Sequence, residues 1–306
     1  MTPELSYVIP CGDWRHVDKV VACLLDQEEC ARIELVLAGP LTLEDEIPGR
    51  ARQAFAAVTV VPADPRAMHE ARAIGLLAAA APWAVVGETH CYPQPGWARA
   101  LLAAIGEGTW DAIGPQIVNA NPATGLSWAN LSIDYGPFLR PQRGEAPALP
   151  GQNAAVRTAL LEPYRADLGE RMRMPYLLFQ TLRDRGARLF VEPAARSAHL
   201  NVTDYRAWLG ERFGAARIFA SDRAANWSRG RRLAYTLGSP AIPVLRARRA
   251  LRDLRRAGGP LRAVPLLLAG LLVSGLGEAV GYAVGMGEGE PRIFVVELDR
   301  EAFAPR

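Results

Sequence analysis

Residues 83–105, WAVVGETHCYPQPGWARALLAAI, decide the fold of this chain. The stretch begins with an apolar run that predicts a buried strand, and the run ends in the polar triplet Glu88-Thr89-His90. A helical pattern follows, with Pro95 near its start and glycines just past its end. An acid and an imidazole at the tip of a buried strand allow two interpretations. They either bind a metal ion, or they are ordinary polar residues where a strand leaves the core.

Strand and helix patterns alternate over about the first 118 residues. This alternation predicts βα units and a mostly parallel sheet that is covered on both faces. Ligands of such sheets gather at the carboxyl ends of the strands, where both Gly39 and the triplet lie. The predicted strands are at 5–10, 33–39, 57–63 and 83–88, and the helices between them are at 14–26 and 65–80.

The rest of the chain is less regular. Residues 119–155 are rich in Asn, Pro and Gly, which predicts loops with short strands. A helix is predicted at about 174–185, a strand follows it, and 204–256 has a helical pattern. The four cysteines form no CxxC pair, which indicates free thiols in a reducing compartment. The first residues lack the pattern of a signal peptide, so we expect the chain to begin in the cytoplasm.

Positive charge is concentrated near the C-terminus. Lys19 is the only lysine, and seven arginines lie between 246 and 262. The apolar segment 264–287 comes next, and Glu278 is its one charged residue. A membrane span needs roughly 20 apolar residues, and adjacent arginines favour the cytoplasmic side and anionic lipids. A full span, an interfacial or re-entrant hairpin and a buried helical hairpin are the alternatives. We expect lipid, and not nucleic acid, to contact 246–287.

The order of these pieces resembles a family 2 glycosyltransferase with the GT-A fold, from about residue 5 to residue 201. Five segments carry the resemblance in order, although none is specific by itself. They are YVIPCGDW at 7–14, HEARAIGLLAAA at 69–80, the stretch 83–105, LPGQNAAVRTALL at 149–161 and LLFQTLRDRGARLFVEPAARSAH at 177–199.

The resemblance implies an α/β GT-A domain at 1–203. An Arg-rich helical extension at 204–262, an apolar membrane-associated segment at 263–287 and a tail at 288–306 would follow. The implied activity is transfer of a sugar from a nucleotide-sugar donor to a saccharide or lipid-linked acceptor. Such a reaction belongs to envelope or polysaccharide biosynthesis, at the cytoplasmic face of the cell membrane.

The metal site is the sharpest implication of the resemblance. The family usually has Asp-x-Asp where this chain has Glu88-Thr89-His90, and often a histidine where it has His199. Glu88, His90 and His199 would hold a divalent cation, Mn²⁺ or Mg²⁺, that neutralises the departing diphosphate. Thr89 is the departure from the family, because a hydroxyl contributes little as a ligand. A hydrogen-bonded structural role is the alternative for each histidine.

Further site residues follow from the matched segments. Arg72 suits diphosphate oxygens, because a guanidinium offers paired donors to them. The predicted nucleotide-sugar-binding residues are Pro10, Gly39, Arg72, Glu88 and Thr89. The predicted acceptor-binding residues are Trp97, Gly151, Gln152 and Asn153.

The reaction also needs a catalytic base. An inverting transfer needs a carboxylate that accepts the proton of the acceptor hydroxyl. The family's acidic position falls on Met174-Pro175 here, which cannot do this, so Asp167 and Glu170 are the candidates. Their alternative is a pair of exposed acids.

Two other classes of protein were weighed against an active transferase. The altered acids also fit a catalytically degenerate GT-A protein that acts as a membrane-bound scaffold. A dinucleotide-dependent oxidoreductase is disfavoured, because PCGDW stands after the first strand in place of G-x-G-x-x-G.

Overall fold

A computed structural model describes residues 2–287 and 289–304. Residue 288 and the last two residues of the predicted tail 288–306 lie outside the described residues. The chain divides into two compact units, Met1–Val118 with Pro141–Ala198, and Asn119–Arg140 with His199–Arg306.

One sheet organises the first unit, in the order β3-β2-β1-β4-β8-β6-β9-β5, with β7 paired to β9. Strands β3, β2, β1 and β4 are parallel neighbours, as predicted, whereas β8 is antiparallel to both β4 and β6. The strands are β1 Leu5–Pro10, β2 Ile33–Gly39, β3 Ala57–Pro62, β4 Trp83–Val86, β5 Cys91–Pro93, β6 Ala112–Asn119, β7 Gly144–Glu145, β8 Ala155–Arg157 and β9 Leu189–His199.

The helices confirm most of the predicted periodicity. The described α-helices are α1 Asp18–Leu25, α2 Leu43–Glu46, α3 Gly49–Ala54, α4 Met68–Ala78, α5 Trp97–Gly106, α6 Gly125–Tyr135, α7 Leu168–Met172, α8 Pro175–Asp184, α9 Tyr205–Arg223, α10 Arg229–Gly238, α11 Ile242–Arg256, α12 Ala263–Val284 and α13 Gly289–Leu298.

Burial explains why the predicted strands were visible in the sequence. Every residue of β1, β2 and β4 is buried, so these strands are continuous apolar runs with both faces covered. Helix α4 lies close against the sheet, since a Cβ at Gly75 would stand 2.5 Å from Cγ1 of Val8. This close approach fixes the start of α4 beside the carboxyl ends of the parallel strands.

The second unit is helical, and it contains a helix that the sequence analysis missed. Loops were predicted for 119–155, but residues 125–135 form α6. The hydroxyl of Thr124 accepts a hydrogen bond from the backbone N–H of Ser127 at 3.1 Å, which caps the helix. Tertiary burial of Leu126, Ala129 and Leu131 stabilises a segment whose composition suggested a loop.

The apolar segment forms one continuous helix, α12, and not a hairpin. It ends at Gly285, whose φ of 82° suits glycine. Among the described residues, α12 is the one helix long and apolar enough to cross a membrane, and 44% of its most apolar stretch is buried. Length and composition alone are weak grounds for a span, since core helices share them.

Candidate functional site

The polar triplet leaves the sheet at the carboxyl end of β4, beside β1. The backbone N–H of Gly87 donates to the carbonyl of Val8 at 2.8 Å. A Cβ at Gly87 would lie 2.5 Å from that same oxygen and 2.4 Å from the ring of Tyr7. Glycine is therefore required for the chain to turn here, and the turn directs the next three residues to the ligand-binding edge of the sheet.

Glu88 lies at the centre of a buried polar cluster. Its Oε1 accepts hydrogen bonds from Nη2 of Arg72 at 3.1 Å and from Nε2 of Gln152 at 3.3 Å. Its Oε2 lies 3.2 Å from Nε2 of His90. Glu88 is only 3% exposed, which excludes a solvated acid at the strand end. A buried carboxylate needs such partners to offset its desolvation.

Thr89 contacts the histidine instead of acting as a third ligand. Its Oγ1 lies 3.2 Å from Nδ1 of His90, and both side chains are buried. This contact orients the imidazole so that its other nitrogen, Nε2, faces Glu88. Thr89, the departure from the family, therefore orients the ring of His90, a predicted metal ligand.

The three predicted metal ligands come together. One donor atom from each of Glu88, His90 and His199 lies within 4.8 Å of the other two, and all three residues are buried. His199 is placed by β9, of which it is the last residue. Glu88 and His90 come from one of the matched segments of sequence, and His199 comes from another.

A network of amides orients His199. Its Nδ1 lies 3.1 Å from Oδ1 of Asn201. The Nδ2 of Asn201 donates to Oδ1 of Asn119 at 3.1 Å and to Oγ of Ser127 at 3.3 Å, which identifies the oxygen of the amide as the atom facing the ring. The network thus assigns the proton of His199 to Nδ1 and the lone pair to Nε2.

Burial also keeps His199 neutral. Desolvation, followed by the charge of Arg300, lowers the pKa of His199 to about 3. A neutral imidazole with its lone pair on a defined nitrogen is the form that binds a metal ion.

The donor set fits a divalent transition-metal ion. Two ligands at right angles on an ion with bonds of about 2.1 Å stand roughly 3 Å apart. The separation of 3.2 Å between Nε2 of His90 and Oε2 of Glu88 matches this geometry. Imidazole suits Mn²⁺-like and softer ions better than Mg²⁺, which prefers oxygen ligands.

The predicted nucleotide-binding positions Pro10 and Gly39 end adjacent parallel strands. A Cβ at Gly39 would lie 2.2 Å from the carbonyl oxygen of Cys11, so glycine is needed for the close packing of these two strand ends. Arg72 is held in α4 and bonded to Glu88, and it is 8% exposed. Whether these residues contact a nucleotide stays a prediction.

Two of the predicted acceptor-binding residues are core residues. Trp97 is fully buried and lies edge-on to Tyr7, with 5.7 Å between ring centroids. Asn153 is also fully buried, and its Oδ1 accepts a hydrogen bond of 2.5 Å from the hydroxyl of Tyr7. Both side chains pack in the core around Tyr7, and their contact with an acceptor stays a prediction. A pattern of residue types could not distinguish the two roles.

Asn153 instead shapes the loop that carries Gln152 to Glu88. Its φ of 53° places it in the left-handed region, which asparagine tolerates better than most residues. Its Nδ2 donates to the carbonyl of Cys91 at 2.9 Å, and its backbone N–H donates to Val86 at 2.8 Å. The loop is therefore tied to both ends of the segment that contains the polar triplet.

The candidate bases lie at the start of α7. The carboxylate of Asp167 accepts a hydrogen bond from Nη2 of Arg171 at 2.6 Å, and this bond lowers the pKa of Asp167. Glu170 is exposed. Gly169 lies against the carboxylate of Glu70, in the first turn of α4, so α7 is adjacent to the helix that carries Arg72. Sequence analysis passed over Glu70, which is half exposed and acidic.

Parallel strands β3, β2, β1 and β4, continued by the antiparallel strand β8, form the mixed sheet of a GT-A fold, as a structural comparison shows. No protein-family model and no curated protein matches the sequence. The fold is shown by the mannosyltransferase PcManGT from Pyrobaculum calidifontis, in complex with GDP-Man and Mn²⁺. That structure is 14% identical with a TM-score of 0.54, and the match covers 91% of this chain and 87% of that one.

Two further solved structures are similar at lower scores. GalNAc-T7 with UDP, GalNAc and Mn²⁺ is 16% identical with a TM-score of 0.45, and the match covers 65% of this chain. The chain spans only 44% of that structure. S. aureus TarS is 15% identical with a TM-score of 0.48, and the match covers 93% of this chain and 55% of TarS.

Proposed function

We propose that the protein is a glycosyltransferase that uses a nucleotide-sugar donor and a divalent cation. The observation that carries the proposal is the buried cluster of Glu88, His90 and Arg72 at the carboxyl end of β4. A buried carboxylate with nitrogen partners, at the ligand-binding edge of a GT-A sheet, suits a metal-diphosphate site better than a structural role. The resemblance to family 2 in the five matched segments supports that assignment.

The reaction joins an acceptor hydroxyl to the donor sugar. The acceptor oxygen forms a bond to the anomeric carbon, while the bond from that carbon to the diphosphate oxygen breaks and the nucleoside diphosphate leaves with the electron pair. Glu88, His90 and His199 would hold a divalent cation, which would neutralise the charge of the diphosphate when bound. Arg72 is placed beside Glu88, where its guanidinium can pair with a diphosphate oxygen.

Glu170 is the better of the two proposed bases. The hydrogen bond from Arg171 stabilises the charged form of Asp167, which makes that carboxylate a weaker proton acceptor. Glu170 is exposed on the same short helix, where an acceptor hydroxyl can reach it. The proposed acceptor is a saccharide or lipid-linked saccharide of an envelope or polysaccharide pathway. The Arg-rich and apolar C-terminal helices support a location at the cytoplasmic face of the membrane.

Thermal denaturation with nucleotide sugars tests the proposal. UDP- and GDP-sugars are added to the full chain with and without Mn²⁺, and we expect one of them to raise the melting temperature in the presence of Mn²⁺. Glu88→Gln should abolish the rise, whereas Glu145→Gln, a change at an exposed acid of β7, should preserve it. Absence of a shift with every nucleotide sugar, with and without metal, would contradict the proposal.

The alternative is a degenerate GT-A protein that acts as a membrane-bound scaffold. The departures at Thr89 and at the position of the base favour it. A scaffold would tolerate Glu88→Gln and His90→Ala in cells and would show no sugar transfer to any acceptor extract. Release of free nucleoside diphosphate that depends on acceptor, Mn²⁺ and Glu88 would exclude it.

A further inference from the structure

Helix α12 presents an apolar stripe to solvent. Leu261, just before the helix, is 78% exposed, and Leu268, Leu272 and Leu276 are 39%, 59% and 62% exposed. The last three residues are four positions apart, which places them on one face of the helix. Monomeric soluble proteins rarely expose a continuous apolar stripe of this kind.

The opposite face of α12 is packed against protein. A Cβ at Gly277 would lie 2.3 Å from the carbonyl oxygen of Phe213, and a Cβ at Gly281 would lie 2.3 Å from the carbonyl oxygen of Arg217. Both oxygens belong to α9. The buried Glu278 forms an ion pair with Nη1 of Arg246 at 2.6 Å. A helix held this closely by a charged neighbour along one side is not surrounded by hydrocarbon, so the structure disfavours a simple span.

Helix α11 packs beside α12 and carries arginines on its exposed face. Ala250 and Leu254 of α11 pack with Leu267 and Leu271 of α12 in one apolar cluster. Asp253 is the one acidic residue in the sequence of α11, and it is buried. It pairs with Arg252 at 3.1 Å and lies 3.8 Å from Arg249. The exposed arginines of α11 are Arg246, Arg248, Arg249, Arg252, Arg255 and Arg256.

We propose that the exposed leucines of α12 and the arginines of α11 form a docking surface for an anionic phospholipid bilayer. The leucines insert among the acyl chains at the interface, while the arginines pair with phosphate and acidic headgroups. Two aliphatic residues at the start of α11, Val244 and Leu245, are 75% and 76% exposed and extend the apolar contact. The protein then lies on the bilayer and does not cross it.

Charge complementarity selects this occupant. Six exposed arginines outnumber the two acids that pair with them, Asp253 and Glu278, so the surface stays positive beside the apolar stripe. Such a surface matches a bilayer with acidic lipids, which is both negative and hydrophobic. A soluble polyanion offers no partner to the leucines, and a neutral bilayer offers none to the arginines. The docking surface rests on the membrane location given under the proposed function. Its test measures lipid binding without any sugar transfer, so the docking surface and the transferase activity can each fail independently of the other.

Vesicle sedimentation of the full chain tests the surface. We expect binding to vesicles of phosphatidylcholine with phosphatidylglycerol, and at least about tenfold weaker binding to pure phosphatidylcholine. Arg255→Gln with Arg256→Gln should weaken binding to the anionic vesicles by about 25-fold, from ~1 kcal/mol for each arginine. Leu272→Gln with Leu276→Gln should weaken it by about tenfold or more, because less apolar area is buried.

Matched changes at other exposed positions serve as controls. Leu41 is 60% exposed in the first unit, so Leu41→Gln should leave vesicle binding unchanged. Arg50→Gln with Arg66→Gln removes the same charge as the arginine pair and should have a much smaller effect. If the leucine pair disturbs folding in circular dichroism, Leu261→Gln, outside the helix, replaces it.

Several outcomes would overturn the inference. They are no binding to any vesicle, equal loss in control and test variants, and binding to heparin that exceeds binding to vesicles. Alkaline carbonate should release the protein from membranes, because an interfacial contact is not a span. Retention in the membrane after carbonate treatment would show that α12 crosses the bilayer, and the docking surface would be wrong.

Discussion

Glu88 and Glu278 are both buried acids, but their surroundings differ in kind. Glu88 has an arginine, a glutamine and a histidine around it at the carboxyl end of a strand. Glu278 lies within an apolar helix, where Arg246 is its ion-pair partner and Tyr282 lies 3.5 Å from it. Several nitrogen donors at the ligand-binding edge of a sheet indicate chemistry, whereas one ion pair between helices indicates packing.

The largest expected effect is at Glu88. Glu88→Gln keeps the shape of the side chain but removes the charge that would bind a cation, so sugar transfer should fall on the order of 10³-fold. The measurement is release of nucleoside diphosphate with saturating Mn²⁺ and acceptor extract. Unchanged sugar transfer in the Glu88→Gln protein would show that Glu88, like Glu278, has only a packing role.

Asn201 should have the next largest effect. Asn201→Leu removes the acceptor that fixes the proton of His199 on Nδ1, and we expect Mn²⁺ affinity to fall by about 10- to 100-fold. Electron paramagnetic resonance of free Mn²⁺ measures that affinity directly, without any turnover. Asn201→Asp, which keeps an oxygen acceptor, should recover part of it. Equal losses in both variants would indicate a structural role only.

Glu278→Gln should affect stability and leave the site alone. Burial raises the pKa of Glu278, so the fold disfavours its charged form, and Arg246 is partly exposed and can be solvated without it. We therefore expect the free energy of unfolding to rise by up to about 1 kcal/mol. Urea denaturation gives this value, and the rise in melting temperature with nucleotide sugar and Mn²⁺ should be unchanged. A lost nucleotide response would show that the two acids act together.

The smallest expected effect concerns Asp167. Its pKa is lowered by Arg171, so its contribution to stability is present above the unfolded pKa and is lost as pH falls through the folded pKa. Because the pair is partly exposed, Asp167→Asn should cost about 0.5 kcal/mol or less at pH 7. That cost should shrink as pH falls below the ordinary pKa of 3.8 and disappear below the lowered pKa of folded Asp167. Sugar transfer should persist in this variant and be lost in Glu170→Gln, whereas the reverse would identify Asp167 as the base.

The strands were predictable because burial on both faces leaves a continuous apolar run. Strands β1 and β2 have the bounds expected from the sequence. Helix α6 was not predictable, because its stability comes from a threonine cap and tertiary burial instead of strong helical periodicity. Trp97 and Asn153 were matched by type to an acceptor site, but their positions in the core could be known only from the packing around Tyr7.

The metal-ligand set was implied by the family resemblance. The sequence alone determined the α/β order and the strand that leads into Glu88-Thr89-His90. It did so because local periodicity and residue type depend on neighbours along the chain. Only the tertiary structure decided that Glu88 is buried against Arg72, that Thr89 orients a ring, and that α12 is packed along one side and exposed along the other. These properties depend on residues far apart in sequence, which meet only when the chain is folded.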